Sequence, residues 1–279
     1  MKWVCAVVLL LFGCNNNDSS QSSSIVFTEV ITEISPTVCG ADDPTQILEV
    51  NGTGLALFDY DRDGDLDLFV VNAASLDNFA SGPGCRLYEN QSDELSIVFI
   101  DVTERAQISV FRWANGVAVG DANGDGYDDL YITCHGPNIL LLNNGDGTFS
   151  DATVFAGVGD DRWGTSATFG DLDGDGVDDI VVGAPREDRV GEDSGSVYFF
   201  SSASGAQLMR IDGAGANHFF GHSLAGLADI NGDGATGCSA SCIDSLLFSP
   251  DYPLLSIILT SLEIGTVNYC LYKIGRAHV

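Results

Sequence analysis

One nine-residue pattern recurs along this chain and leaves few folds open to it. Asp59-Tyr60-Asp61-Arg62-Asp63-Gly64-Asp65-Leu66-Asp67 is followed by Asp121-Ala122-Asn123-Gly124-Asp125-Gly126-Tyr127-Asp128-Asp129 and by Asp171-Leu172-Asp173-Gly174-Asp175-Gly176-Val177-Asp178-Asp179. A fourth copy begins at Asp229-Ile230-Asn231-Gly232-Asp233-Gly234. Successive copies start 62, 50 and 58 residues apart, the length of one supersecondary unit per repeat. Sixteen of the 31 aspartates fall in these windows, whereas the whole chain has nine glutamates. Solubility would be served equally well by Glu, so the excess reports a demand for the short carboxylate.

The spacing says what that demand is. Asp or Asn at loop positions 1, 3 and 5 can turn oxygens inward, Gly at position 6 permits a sharp turn, and position 9 adds a carboxylate. That is how a compact loop surrounds a hard cation such as Ca2+ with oxygen ligands. The candidate ligands are Asp59, Asp61, Asp63 and Asp67; Asp121, Asn123, Asp125 and Asp129; and Asp171, Asp173, Asp175 and Asp179. The backbone carbonyls of Asp65, Tyr127 and Val177 at position 7 complete each set. The fourth loop offers Asp229, Asn231 and Asp233 but has Gly237 at position 9, which puts its site in question. Without a cation, carboxylates this close repel one another and their pKa values rise.

The flanks decide which loop this is. An EF-hand requires an acidic residue at position 12 and a helix on either side. Position 12 here is Val70, Ile132 and Val182, which excludes that reading. Short β-type runs precede the loops at 55–58, 117–119 and 167–169, and others follow at 66–71, 130–133 and 180–182. Further runs at 86–88, 98–100, 139–142, 148–150 and 196–200 bring the unit to four strands. The expected fold is all-β, a partial β-propeller of four-stranded blades.

Gly183-Ala184-Pro185 followed by Phe220-Gly221, with the stretch Asn143-Asn144-Gly145-Asp146-Gly147-Thr148-Phe149, resembles the FG-GAP/VCBS repeat family, related to the N-terminal propeller of integrin α chains. The resemblance runs from about Ile25 to Gly234. It implies about four repeats of a propeller that is typically seven-bladed, with structural Ca2+ in loops on one face. It also implies a binding or adhesion role.

Outside the repeats, Met1 to Cys14 carries a basic start, an apolar stretch and a terminal Cys, and its Leu11-Phe12-Gly13-Cys14 resembles a lipobox. The expectation is an exported lipoprotein at the outer membrane or cell surface, otherwise a secreted protein. Cys14 would be lipidated, and the polar tether of residues 15–24 would follow it. A net charge of -29 repels nucleic acid, so the expected partner is a protein or carbohydrate at the cell surface and the membrane is met through the lipid alone. Export permits disulfides: Cys39 with Cys85 is the first candidate, beside the alternative that the cysteines are buried thiols. Residues 235–279 depart from the repeat, and the last six resemble a translated sequencing adapter, so this tail is expected to be aberrant. Four open blades would then leave sheet faces and edges exposed.

Enzymatic signals are weak. Gly221-His222-Ser223-Leu224-Ala225 lacks the final Gly and the strand-turn-helix setting of a nucleophile elbow. The four histidines show no metal-ligand spacing. The alternative to a binding module is a polysaccharide-acting enzyme on the propeller scaffold. Trp113 and Trp163 each lie eight residues before a loop start, which favours packing over ligand stacking.

Overall fold

Short strands joined by tight loops pair with their neighbours in sequence, because such loops close with little loss of chain entropy. The computed structural model, which describes residues 54–73, 83–93, 96–227, 236–241, 256–263 and 266–270, shows this repeated four times. The first sheet comprises β1 (Leu55–Phe58), β2 (Asp67–Val70), β3 (Arg86–Asn90) and β4 (Phe99–Asp101). The second comprises β5 (Ala114–Gly120), β6 (Asp129–Cys134), β7 (Ile139–Asn143) and β8 (Phe149–Asp151). A single turn of helix, α1 (Thr153–Ala156), leads to the third: β9 (Ser166–Gly170), β10 (Asp179–Ala184), β11 (Ser196–Phe200) and β12 (Gln207–Asp212). The fourth takes β13 (Ser223–Leu227), β14 (Gly237–Ser241), β15 (Ser256–Glu263) and β16 (Thr266–Cys270). Each sheet is an antiparallel meander in chain order, so the fold is all-β with blades of a partial propeller.

The first strands form the inner ring: β1 lies beside β5, β5 beside β9 and β9 beside β13. These strands approach closely. A Cβ on Gly120 would stand 2.5 Å from the Phe169 side chain.

The second strand of each of the first three blades is buried along its whole length, because it is covered on both faces. Side chains alternate across it, as the pleat requires. Leu130 and Ile132 turn toward the first blade, with Phe69 and Leu87, while Tyr131 turns toward Ile180, Val182 and Tyr198 of the third. Val181, Val197 and Phe199 face the fourth. Val70, Ile132 and Val182, which an EF-hand would need as acids, are apolar residues of this core.

Trp113 is 1% exposed and packs inside, but Trp163 is half-buried, with His135 edge-on to its ring and the Arg186 guanidinium 5.1 Å from its centroid. Cys85, Cys134 and Cys238 are buried free thiols, as the alternative reading has them, and Cys39 lies outside the described residues. Burial pushes the Cys85 thiol up to about 12, and an unreactive buried thiol is the outcome.

The Gly183-Ala184 and Phe220-Gly221 signatures have a steric cause. A Cβ on Gly183 would fall 1.9 Å from the Gly221 carbonyl oxygen, so the two backbones touch where β10 meets the entry to the next blade. Ser223 begins strand β13 and not a helix, which removes the setting a nucleophile elbow needs.

Candidate metal centre

Each acidic loop joins the first and second strands of a blade, so all lie on one face. Their internal bonding repeats. The carboxylate at position 1 gathers the loop's amides: Asp121 Oδ1 accepts from Gly124 and Asp125 (2.8 and 3.1 Å) and Oδ2 from Gly126 (2.7 Å). Asp59 and Asp171 hold the corresponding amides of Gly64, Gly174 and Gly176. In the three described loops the side chain at position 3, of Asp61, Asn123 or Asp173, accepts from the amide at position 5. Position 6 is left-handed, with φ of +99°, +85° and +88° at Gly64, Gly126 and Gly176. Position 4 is left-handed too, and there the first loop places Arg62 at φ +62° where the others have Gly124 and Gly174.

Three of the expected ligands converge. In the first loop Asp59, Asp61 and Asp67, and in the third Asp171, Asp173 and Asp179, bring carboxylate oxygens within 4.8 Å of one another. These two aspartate clusters could hold a metal ion. The second loop carries the amide Asn123 at the middle position of that trio, and Asn123 Nδ2 donates to Asp125. Position 5 is not drawn in: Asp63, Asp125 and Asp175 each turn Oδ1 to the amide at position 7, of Asp65, Tyr127 and Val177. Cys14 and the ligands Asp229, Asn231 and Asp233 lie outside the described residues.

Position 9 is the buried member. Asp67, Asp129 and Asp179 have no exposed surface. Asp67 accepts from the amides of Tyr60 (3.1 Å) and Asn90 (2.8 Å), and Asp129 from those of Ala122 (2.8 Å) and Asn143 (2.7 Å). Asp179 accepts from Leu172 (3.0 Å), but its Oδ1, approached by the Ser202 amide, completes no hydrogen bond. Burial raises Asp67 to about 6 and Asp129 and Asp179 to about 7, above the ordinary carboxylate range despite the amides that oppose it. Burial and the neighbouring carboxylates also raise Asp61, Asp65 and Asp173.

The residues fit a hard cation. The donors are all oxygens, and two buried carboxylate oxygens, Asp65 Oδ1 and Asp179 Oδ1, have no hydrogen-bond partner. A buried, unpaired carboxylate oxygen is costly, and a divalent ion held with Asp171 and Asp173 would relieve the cost at Asp179.

Contacts between loops carry no signal in the sequence pattern. The Arg62 guanidinium stands 4.0 Å from the centroid of the Tyr127 ring in the next loop. The position-8 amides of Asp178 and Thr236 donate to the position-1 carbonyls of the preceding loops, Asp121 (3.3 Å) and Asp171 (2.7 Å).

Meander blades side by side, each with an acidic loop between its first two strands, define a partial β-propeller with paired-strand aspartate sites. The model of the FG-GAP-like repeat matches residues 59–132 and 121–182, which supports reading this part of the chain as FG-GAP-like repeats. No curated protein matches the sequence. Among solved structures the chain is similar to a rhamnogalacturonan lyase of Bacillus licheniformis (15% identity, 56% of this chain and 33% of that one, TM-score 0.35). It is also similar to the exo-type rhamnogalacturonan lyase YesX (16%, 56% and 32%, TM-score 0.35). A third similar structure is an Agrocybe aegerita lectin recognising non-reducing terminal N-acetylglucosamine (15%, 77% and 65%, TM-score 0.31). The chain spans about a third of the length of the two lyases.

Proposed function

We propose that this protein is an exported, calcium-loaded propeller module that binds a protein or carbohydrate partner at the cell surface, tethered by lipid at Cys14. The observation that carries the calcium reading is the same trio of carboxylates, from positions 1, 3 and 9, converging in two separate blades on an aspartate that has been taken out of water. A group in that setting is stabilised as a carboxylate only by a cation or by hydrogen bonds, and at Asp179 the hydrogen bonds are incomplete. In this account the ion is structural. It fixes the turn between the first two strands, and rigid blades then present their loops to a partner at little further cost in ordering.

The test is the thermal melt of the full chain with and without millimolar calcium, beside the variant Asp61→Ala/Asp173→Ala. Both substituted side chains sit at position 3 and hold only amides of their own loops. Extracellular calcium sites bind with Kd of about 10⁻⁴ to 10⁻³ M. At ten times Kd each filled site adds about 1.4 kcal/mol, and the melt should rise by several degrees in the unaltered chain and by clearly less in the variant, which keeps only the second loop of the three. An equal rise in the variant, or none in either, removes the calcium reading. Release from the membrane fraction on Cys14→Ser tests the tether.

A further inference from the structure

One side chain ties the first acidic loop to the second. Asn143 closes strand β7 and is 1% exposed. Its backbone N–H donates to Asp129 Oδ1 of the second loop at 2.7 Å. Its Nδ2 donates across the blade boundary to the Tyr60 carbonyl of the first loop at 2.8 Å and lies 3.4 Å from the Asp128 carbonyl of the second. Its Oδ1 accepts from the Gly145 amide at 3.0 Å, so the side chain has no freedom to turn. The Tyr60 amide, in its turn, donates to Asp67 Oδ2. A continuous path of hydrogen bonds therefore runs from Asp67 through the Tyr60 residue and the Asn143 side chain to Asp129, from one position 9 to the next.

The first blade contains the control. Asn90 closes β3 as Asn143 closes β7, and it makes the same local bonds. Its N–H donates to Asp67 Oδ1 (2.8 Å), its Nδ2 to the Leu66 carbonyl (3.1 Å), and its Oδ1 accepts from the Ser92 amide (3.0 Å). Among the described residues it makes no side-chain hydrogen bond to a second acidic loop. The bond to Tyr60 is what Asn143 adds.

We propose that Asn143 is a positioning strut through which ion occupancy of the first loop raises the calcium affinity of the second. The inference rests on the calcium reading above. An ion that fixes Asp67 fixes Tyr60, whose carbonyl holds the Asn143 amide group. Asn143 then presents its N–H to Asp129 already ordered, and less conformational freedom remains to be lost when the second ion enters. Linkage makes the effect reciprocal.

The experiment is a calcium titration of the full chain followed through the amide resonances of Gly64 and Gly126, each of which reports its own loop. Disabling the first loop with Asp61→Ala/Asp63→Ala should raise the second loop's Kd about fivefold or more, the ordinary range of coupling between sites. In an Asn143→Ser background the same loop-1 change should move the second loop's Kd less than twofold, while Asn90→Ser should preserve the fivefold effect. Asn143→Asp, which keeps the side chain's shape and loses the donor, should repeat the result should the serine variant not fold. An unchanged second-loop Kd with Asn143 in place, or a fivefold effect that survives its replacement, overturns the strut. Resonances of both glycines that ignore calcium in the unaltered chain overturn the calcium reading itself, a different outcome from sites that fill independently.

Discussion

The second and third blades begin from nearly the same nine residues and end with different environments for the same aspartate. Asp129 has both oxygens held by amides, from Ala122 and Asn143. Asp179 has one oxygen held, by Leu172, and the other buried without a completed hydrogen bond. Ser202, two residues past the end of β11, takes the place that Asn143 holds at the end of β7 and Asn90 at the end of β3. The serine has no amide group to brace the loop, and its backbone N–H does not complete the bond to Asp179. The acidic pattern sets which residues can ligate, then, but the third strand decides how far each site is satisfied without an ion. The third loop should depend on a cation more than the second does.

The largest expected effect is on pH dependence. Asp67, Asp129 and Asp179 are raised in the folded state to about 6, 7 and 7, above the unfolded value near 4. In metal-free buffer the folded chain therefore keeps protons that the unfolded chain has lost. The stability this gives is fully present below about pH 4 and is lost as pH rises through 6 to 7. The loss is on the order of 1.4 kcal/mol per pKa unit for each carboxyl. Calcium favours the charged form and should flatten the curve. Urea unfolding at a series of pH values, with chelator and with calcium, checks both. A metal-free curve that climbs toward neutral pH would contradict the burial argument.

Substitution then tests the two blades against each other. Asp129→Ala strands two buried amides, at Ala122 and Asn143, whereas Asp179→Ala strands the one at Leu172. At about 1–3 kcal/mol for each unsatisfied buried group, the first change should cost roughly twice the second in metal-free denaturation. Equal costs would mean that Ser202 holds Asp179 as firmly as Asn143 holds Asp129.

A smaller contrast lies at the other end of the same strands. Thr133 of β6 and Gly183 of β10 are equivalent, four residues after Asp129 and Asp179. Thr133→Gly should cost about 1 kcal/mol, since glycine in a strand loses more freedom on folding. Gly183→Ala should cost several times more, because its Cβ would meet backbone at 1.9 Å. Melting temperatures of the two variants decide the order.

The smallest effect is a gain. Ser202→Asn should supply the missing brace, draw the 202 amide onto Asp179 and add about 1 kcal/mol in metal-free buffer. A crystal structure of that variant, or its denaturation midpoint, would show whether the blades differ through this residue.

Much of this molecule was legible in its residues. The first three acidic windows fall between first and second strands as read, and the runs 55–58, 139–142 and 196–200 coincide with β1, β7 and β11 to within a residue. Periodicity works here because each run alternates between two buried neighbours and each loop needs Gly where φ is positive. β12 was not read, since Gln207–Asp212 is partly exposed and mixed in polarity, which leaves little pattern to detect. Trp113 and Trp163 look equivalent in the repeat, yet one is buried and the other is half-buried against His135 and Arg186.

The sequence by itself determined the repeat, the strand-loop-strand unit and the oxygen donors available to each loop. These are local: a hairpin and its turn are decided by residues within about ten positions of one another. Only the tertiary structure decided which donors converge, that position 5 turns away to its own loop, that Asp179 is left with an unsatisfied oxygen, and that Asn143 reaches Tyr60, 83 residues earlier in the chain. Those outcomes depend on the packing of one blade on the next, which removes position 9 from water and brings chain-distant amides to it. No spacing within a single repeat encodes a bond whose two ends belong to different repeats.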